Sequence, residues 1–141
     1  MSSRALVIMT SIPIVVVLLL LFVPGLSHQP WTPLRIAGAV IAIVGYSLVT
    51  TARVQLGKSF AVTPQAKDLV THGLYSRIRN PMYVFVDVTI FGVILAANYP
   101  WLLLLLAVWM AGQARQAGRE AKVLQEKFGQ TYLDYRKQTW F

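Results

Sequence analysis

The sequence predicts an all-α integral membrane protein of about four transmembrane helices, with a cytoplasmic loop and an amphipathic C-terminal helix. Three observations predict it. The chain of 141 residues is 56% hydrophobic and only 13% charged, with a mean hydropathy of +0.58. A soluble domain of that size has no means of hiding so much apolar surface. The apolar residues fall in runs of bilayer-crossing length, and the basic residues gather at one end of those runs.

The first span is 5–26, an uncharged run with Pro13 inside it and Pro24-Gly25 closing it. Arg4 ahead of it resembles the start of a signal peptide. The run exceeds a typical signal core and no small-x-small cleavage pattern follows, so it reads as a retained helix. The second span is 34–53. Its uncharged stretch, 36–52, lies between Arg35 and Arg53 and reaches roughly 25 Å, enough when both arginines snorkel. The region 82–114 is apolar except for Asp87 and too long for one crossing. Asn98-Tyr99-Pro100 reads as a tight turn at an interface, dividing it into spans 82–97 and 100–115. Each reaches roughly 24 Å, short of the ~30 Å hydrocarbon core.

Charge tests this arrangement. With the N-terminus, the 53–81 loop and the tail on one side, that side holds 12 of the 13 basic residues, and Arg35 alone lies opposite. The asymmetry puts both termini on the cytoplasmic face. It also explains a pI near 10.2 without nucleic acid. There is no cysteine, and the two His and five carboxylates are scattered. No metal site is expected. The whole is one membrane domain without internal repeats.

Two polar blocks flank the last two spans. Long loops tend to be functional or disordered, and the aromatic and apolar residues of 53–81 favour order. Within that loop, residues 72–83 hold two arginines, two tyrosines, a Gly and a Pro. The tail 113–139 has Val123, Leu124, Phe128, Tyr132 and Tyr135 at three- and four-residue steps, the pattern of an amphipathic helix on the membrane surface. Gly129 interrupts it. Both blocks belong on one membrane face, where together they make a site.

These blocks resemble the isoprenylcysteine carboxyl methyltransferase family. The likeness lies in Leu56-Gly57-Lys58-Ser59-Phe60, Leu69-Val70-Thr71-His72-Gly73-Leu74-Tyr75 and Arg79-Asn80-Pro81-Met82-Tyr83. The tail adds Arg119-Glu120, Leu124, Phe128-Gly129, Tyr132, Tyr135-Arg136 and Thr139-Trp140-Phe141. It covers roughly 53–141, the catalytic half; phospholipid N-methyltransferases are more distant kin. The resemblance implies methyl transfer from S-adenosylmethionine to a membrane lipid or prenylated acceptor, at a cytoplasmic pocket between loop, last helices and tail.

The residues suit that cofactor. Glu120 is a partner for its ammonium, and Arg79 or Arg119 for its carboxylate. Gly73 lets backbone approach a flat ring. Tyr75 and Tyr83 offer aromatic faces and hydroxyls. Pro81 keeps Asn80 out of helical conformation, exposing polar groups just before a helix begins. The expected cofactor-binding set is His72, Gly73, Tyr75, Arg79, Asn80, Pro81, Tyr83 and Glu120, with Arg79, Glu120 and Arg136 taking part in catalysis. A carboxylate acceptor needs little acid-base help. An amine acceptor must shed a proton, for which Asp87 and Glu120 are the nearby candidates.

The sequence departs from the family pattern twice. The family's Arg-His-Pro is Arg79-Asn80-Pro81, which has no titrating side chain, and its Glu-Glu pair is Glu120-Ala121. Blander readings stand beside the sharp ones. Arg77 and Arg79 also suit positive-inside anchors, Glu120 a surface partner of Arg115 or Lys122, and Asp87 an interface residue paired to an arginine. His72 reads first as a loop hydrogen-bonder, Tyr132 and Tyr135 as interfacial aromatics. Phospholipid amines and a non-catalytic scaffold of the same fold remain open as alternatives.

Overall fold

The computed structural model describes residues 30–56 and 69–141. They form helices α1 (Pro33–Leu56), α2 (Pro81–Ala97) and α3 (Leu102–Gln138), with a single 3-10 turn at Gly73–Ser76. The expected first span, 5–26, and residues 57–60 of the loop motif lie outside the described residues. The architecture is all-α as expected. Of these helices, α1 is long and apolar enough to cross a membrane, and α2 is apolar but only 17 residues long.

Thr32 opens α1 by accepting the Arg35 backbone N–H on its hydroxyl at 3.4 Å, and Pro33 occupies the first helical position, where its missing N–H costs nothing. Ser47, Thr50 and Thr51 donate to carbonyls four residues back. That satisfies their hydroxyls inside an otherwise apolar helix.

A seam of small residues joins α1 to α2. Gly38, Ala42, Gly45, Val49 and Ala52 form one buried face of α1. Opposite them lie the buried Val86, Thr89, Gly92 and Val93 of α2. A Cβ on Gly92 would strike the Ala42 amide and lie 2.7 Å from the Gly38 carbonyl. Only backbones stripped of side chains approach so closely, the device by which helices pack in lipid without a hydrophobic driving force. Arg35 locks the end of the seam. Its Nε donates to the Ala96 carbonyl at 3.0 Å, its Nη1 to Pro30 at 3.2 Å, and its guanidinium lies 5.3 Å from the Trp31 ring centre. A cation on the last carbonyls of α2 also complements that helix's dipole.

The Asn-x-Pro turn forms as expected. Asn98 is left-handed at φ 60°, ψ 38°, and the N–H groups of Asn98 and Tyr99 turn back onto Leu95 and Ile94. The segment beyond it departs from expectation. The span 100–115 and the surface helix 113–139 are one helix of 37 residues, broken only at Gly129 (φ 52°, ψ −124°). Residues 111–122, where they join, are mostly Ala, Gln, Arg, Glu and Lys, good helix formers, with two glycines and no proline. The onset of charge is not the end of the helix.

Candidate functional site

Three anchors hold the loop ahead of α2. The first is Gln55, on the last turn of α1, which accepts the Leu74 N–H at 2.8 Å. Gly73 sits at φ +61°, where a Cβ would collide with the Gln55 side chain. Its glycine is explained by this clasp with no ligand invoked. The second anchor is Tyr135, beyond the Gly129 break, whose hydroxyl donates to the Tyr75 carbonyl at 2.7 Å. The third is the end of the sequence, which runs parallel to the loop. Trp140 N–H donates to Arg77 at 3.0 Å, Arg79 N–H to Trp140 at 3.1 Å, and Asn80 N–H to Phe141 at 3.1 Å.

This clamped loop delivers Asn80 in a non-helical conformation (φ −124°, ψ 62°) and Pro81, fully buried, at the start of α2. One turn of α2 then carries Tyr83 to α3. Its hydroxyl donates to Glu120 Oε1 at 2.9 Å, and Gln116 Nε2 donates to the same oxygen at 3.2 Å. Arg79 is half-buried, with its Nε out of solvent and without a hydrogen-bond partner. The Tyr132 hydroxyl is in the same condition, on a side chain only 1% exposed. Arg79, Arg136 and Glu120 all act electrostatically on that phenol.

Burial raises the Tyr75 and Tyr132 hydroxyls above the ordinary tyrosine range. Burial first, and Tyr132 second, push Tyr135 up to about 12. All three remain hydrogen-bond donors at neutral pH.

Of the residues singled out in the sequence, Tyr83 and Glu120 meet through a hydrogen bond, and Arg79, Glu120 and Arg136 act electrostatically on Tyr132. Tyr75 and Asn80 serve through backbone groups, and Pro81 sets the helix start. His72 and Gly73 lie exposed on the turn, where the His72 carbonyl accepts the Tyr75 N–H at 3.2 Å. Sequence reasoning missed Gln55 and Gln116 and took Tyr132 and Tyr135 for surface aromatics. Gln116 had a signal, standing four residues before Glu120 on the same helical face. Gln55 had none.

Residues 34–131 match the family model described as Phospholipid methyltransferase. The chain is also 33% identical over 124 residues to the protein-S-isoprenylcysteine O-methyltransferase of Tribolium castaneum. That alignment covers 83% of this chain and 43% of the relative, so the chain spans less than half the relative's length. With the clamped loop, the acidic residue of α3 and this match together, the chain belongs to the phospholipid methyltransferase family of membrane enzymes. The family's methyl donor is S-adenosylmethionine. The resemblance read from the loop and tail motifs is borne out.

Proposed function

We propose that this chain is a four-span membrane methyltransferase, acting on a lipophilic acceptor with both termini and the site at the cytoplasmic face. The observation that carries the reading is Glu120, held by Tyr83 and Gln116, together with the buried Arg79 Nε and Tyr132 hydroxyl. Arg79 Nε and Tyr132 Oη are buried polar atoms without partners among the described residues. Such atoms cost about 1–3 kcal/mol each, and a ligand bearing a carboxylate and hydroxyls offsets that cost. S-adenosylmethionine has both, together with an ammonium that suits Glu120. The residues present therefore fit the donor.

When bound, the donor supplies a methyl group made electrophilic by a sulfonium. The chain's part is to hold and to shield. Glu120 is oriented by Tyr83 and Gln116, Arg79 is fixed by its backbone pairing with the tail, and the surrounding tyrosines exclude water. The charge asymmetry of the sequence supports the topology. For the acceptor, the family description names phospholipids and the relative's name an isoprenylcysteine, and both are lipophilic.

Transfer of tritiated methyl groups from S-adenosylmethionine into a total lipid extract tests the reading. Glu120→Gln is expected to lower incorporation at least about 100-fold, the scale of an electrostatic contact in a dry site, with unchanged thermal unfolding. Incorporation within threefold of the parent protein would refute the site.

A further inference from the structure

A second polar cluster lies deeper along the same pair of helices. Asp87 stands one turn beyond Tyr83 on α2, roughly 6 Å further along the axis. Gln113 stands two turns before Glu120 on α3, and Trp109 one turn before that. The Trp109 and Gln113 donors face the Asp87 carboxylate and act on it, yet no hydrogen bond closes among them. Asp87 Oδ1, Trp109 Nε1 and both amide atoms of Gln113 are buried without partners among the described residues. Gln113 is only 5% exposed, whereas Asp87 and Trp109 are half-buried.

Membrane segments do not keep four unsatisfied polar atoms at one level for packing. The α1–α2 seam of the same protein shows what packing alone selects, namely glycines and alanines. By contrast α2 and α3 approach each other at few points, and their atoms out of solvent include polar ones of Asp87, Trp109 and Gln113.

We propose that Asp87, Trp109 and Gln113 form the recess for the polar end of the acceptor, and that Asp87 takes the proton of an amine or hydroxyl nucleophile. This inference rests on the methyl-transfer reading and narrows it. An acceptor carboxylate beside Asp87 would meet like charge in a medium of low dielectric. An N–H or O–H group instead donates to Asp87 while Trp109 and Gln113 hold neighbouring acceptor oxygens. The acceptor's lone pair forms the new bond to the methyl carbon, whose bond to sulfur breaks with its electron pair left on sulfur. The N–H or O–H proton passes to Asp87 Oδ1 and from there to solvent.

The test uses the full chain in nanodiscs with three probes of equal chain length: dodecylamine, 4-dodecylphenol and dodecanoate. Methyl transfer to the amine or the phenol, and none to dodecanoate, is the expected pattern. Asp87→Asn, nearly isosteric, should reduce turnover by about 100-fold or more, the range of a general base, while calorimetric S-adenosylmethionine binding stays within twofold. Gln113→Leu should raise KM more than it lowers kcat. An activity-independent readout is the infrared difference spectrum on adding dodecylamine. A carboxyl band should change in the parent protein and be absent in Asp87→Asn.

Preferential methylation of dodecanoate, an Asp87→Asn turnover within threefold of the parent, or an infrared spectrum without that band overturns the proposal. Failure of the parent chain to bind S-adenosylmethionine would overturn the methyl-transfer reading itself. Donor binding that persists while Asp87 proves indifferent would overturn only the recess.

Discussion

Gly92→Ala should destabilise the protein, although glycine to alanine in a helix is ordinarily favourable. At a position with free space the change gains up to about 1 kcal/mol, because alanine loses less backbone entropy. At Gly92 the new methyl would meet the Ala42 amide and stand 2.7 Å from the Gly38 carbonyl, against an ordinary contact of 3.4–4 Å. Both neighbours are backbone atoms of α1, so no side chain can swing aside. The helices must part by most of an ångström along the whole seam. That forfeits dispersion at each small-residue contact and strains the Arg35 bond to Ala96. Overpacking of this kind costs about 1–3 kcal/mol. Gly112 and Gly118 supply internal controls, since a Cβ at either meets nothing within 4 Å. Reversible unfolding of the three alanine variants in mixed micelles should rank Gly92→Ala below the parent, with the two controls equal to it or above. Equal stability of Gly92→Ala and Gly112→Ala would refute the close-packed seam.

Arg35→Met keeps an apolar stem but strips Ala96 of its cation, and the loss of a charge-assisted bond should lower stability by about 1.5–3 kcal/mol in the same unfolding assay. Tyr135→Phe leaves the Tyr75 carbonyl without its donor. It should cost about 1–2 kcal/mol and make the loop before α2 more open to limited proteolysis. Tyr135 also predicts a pH dependence. Its folded pKa of about 12 exceeds the ordinary 10.0, so the folded state holds a proton that the unfolded state releases. Its contribution is fully present below pH 10 and is lost as pH rises towards about 12, a decline that Tyr135→Phe should lessen in an alkaline unfolding series.

Because run length and the Asn-x-Pro turn are local signals, the apolar runs gave α2 and the start of α1 to within one residue, while α1 runs three residues past the expected 53. The continuity of α3 was not legible in the same way. The switch from leucines to arginines and glutamines after Trp109 reports surroundings, and helix formation is indifferent to that switch when the residues on both sides are good formers. Glu120, Arg79 and Tyr83 were legible through motif resemblance, and the structure brings Tyr83 and Glu120 together across 37 positions. The clamps were not. Gln55 on Leu74, Tyr135 on Tyr75 and the tail on residues 77–80 depend on how α1 and the segment beyond Gly129 converge, and no periodicity encodes that. Gly73 shows the limit of reading a glycine from its neighbours. Its positive φ and lack of a side chain serve a glutamine at the end of another helix.

On the proposed reading, the clamped loop and α3 hold S-adenosylmethionine between Arg79 and Glu120. Calorimetric titration of the purified chain in nanodiscs with S-adenosylmethionine and S-adenosylhomocysteine, with ATP as control, tests it most directly. Saturable binding of the two sulfur compounds, none of ATP, and loss of that binding in Glu120→Gln with folding intact are expected. Absence of binding at millimolar donor, or equal binding by Glu120→Gln, would contradict it.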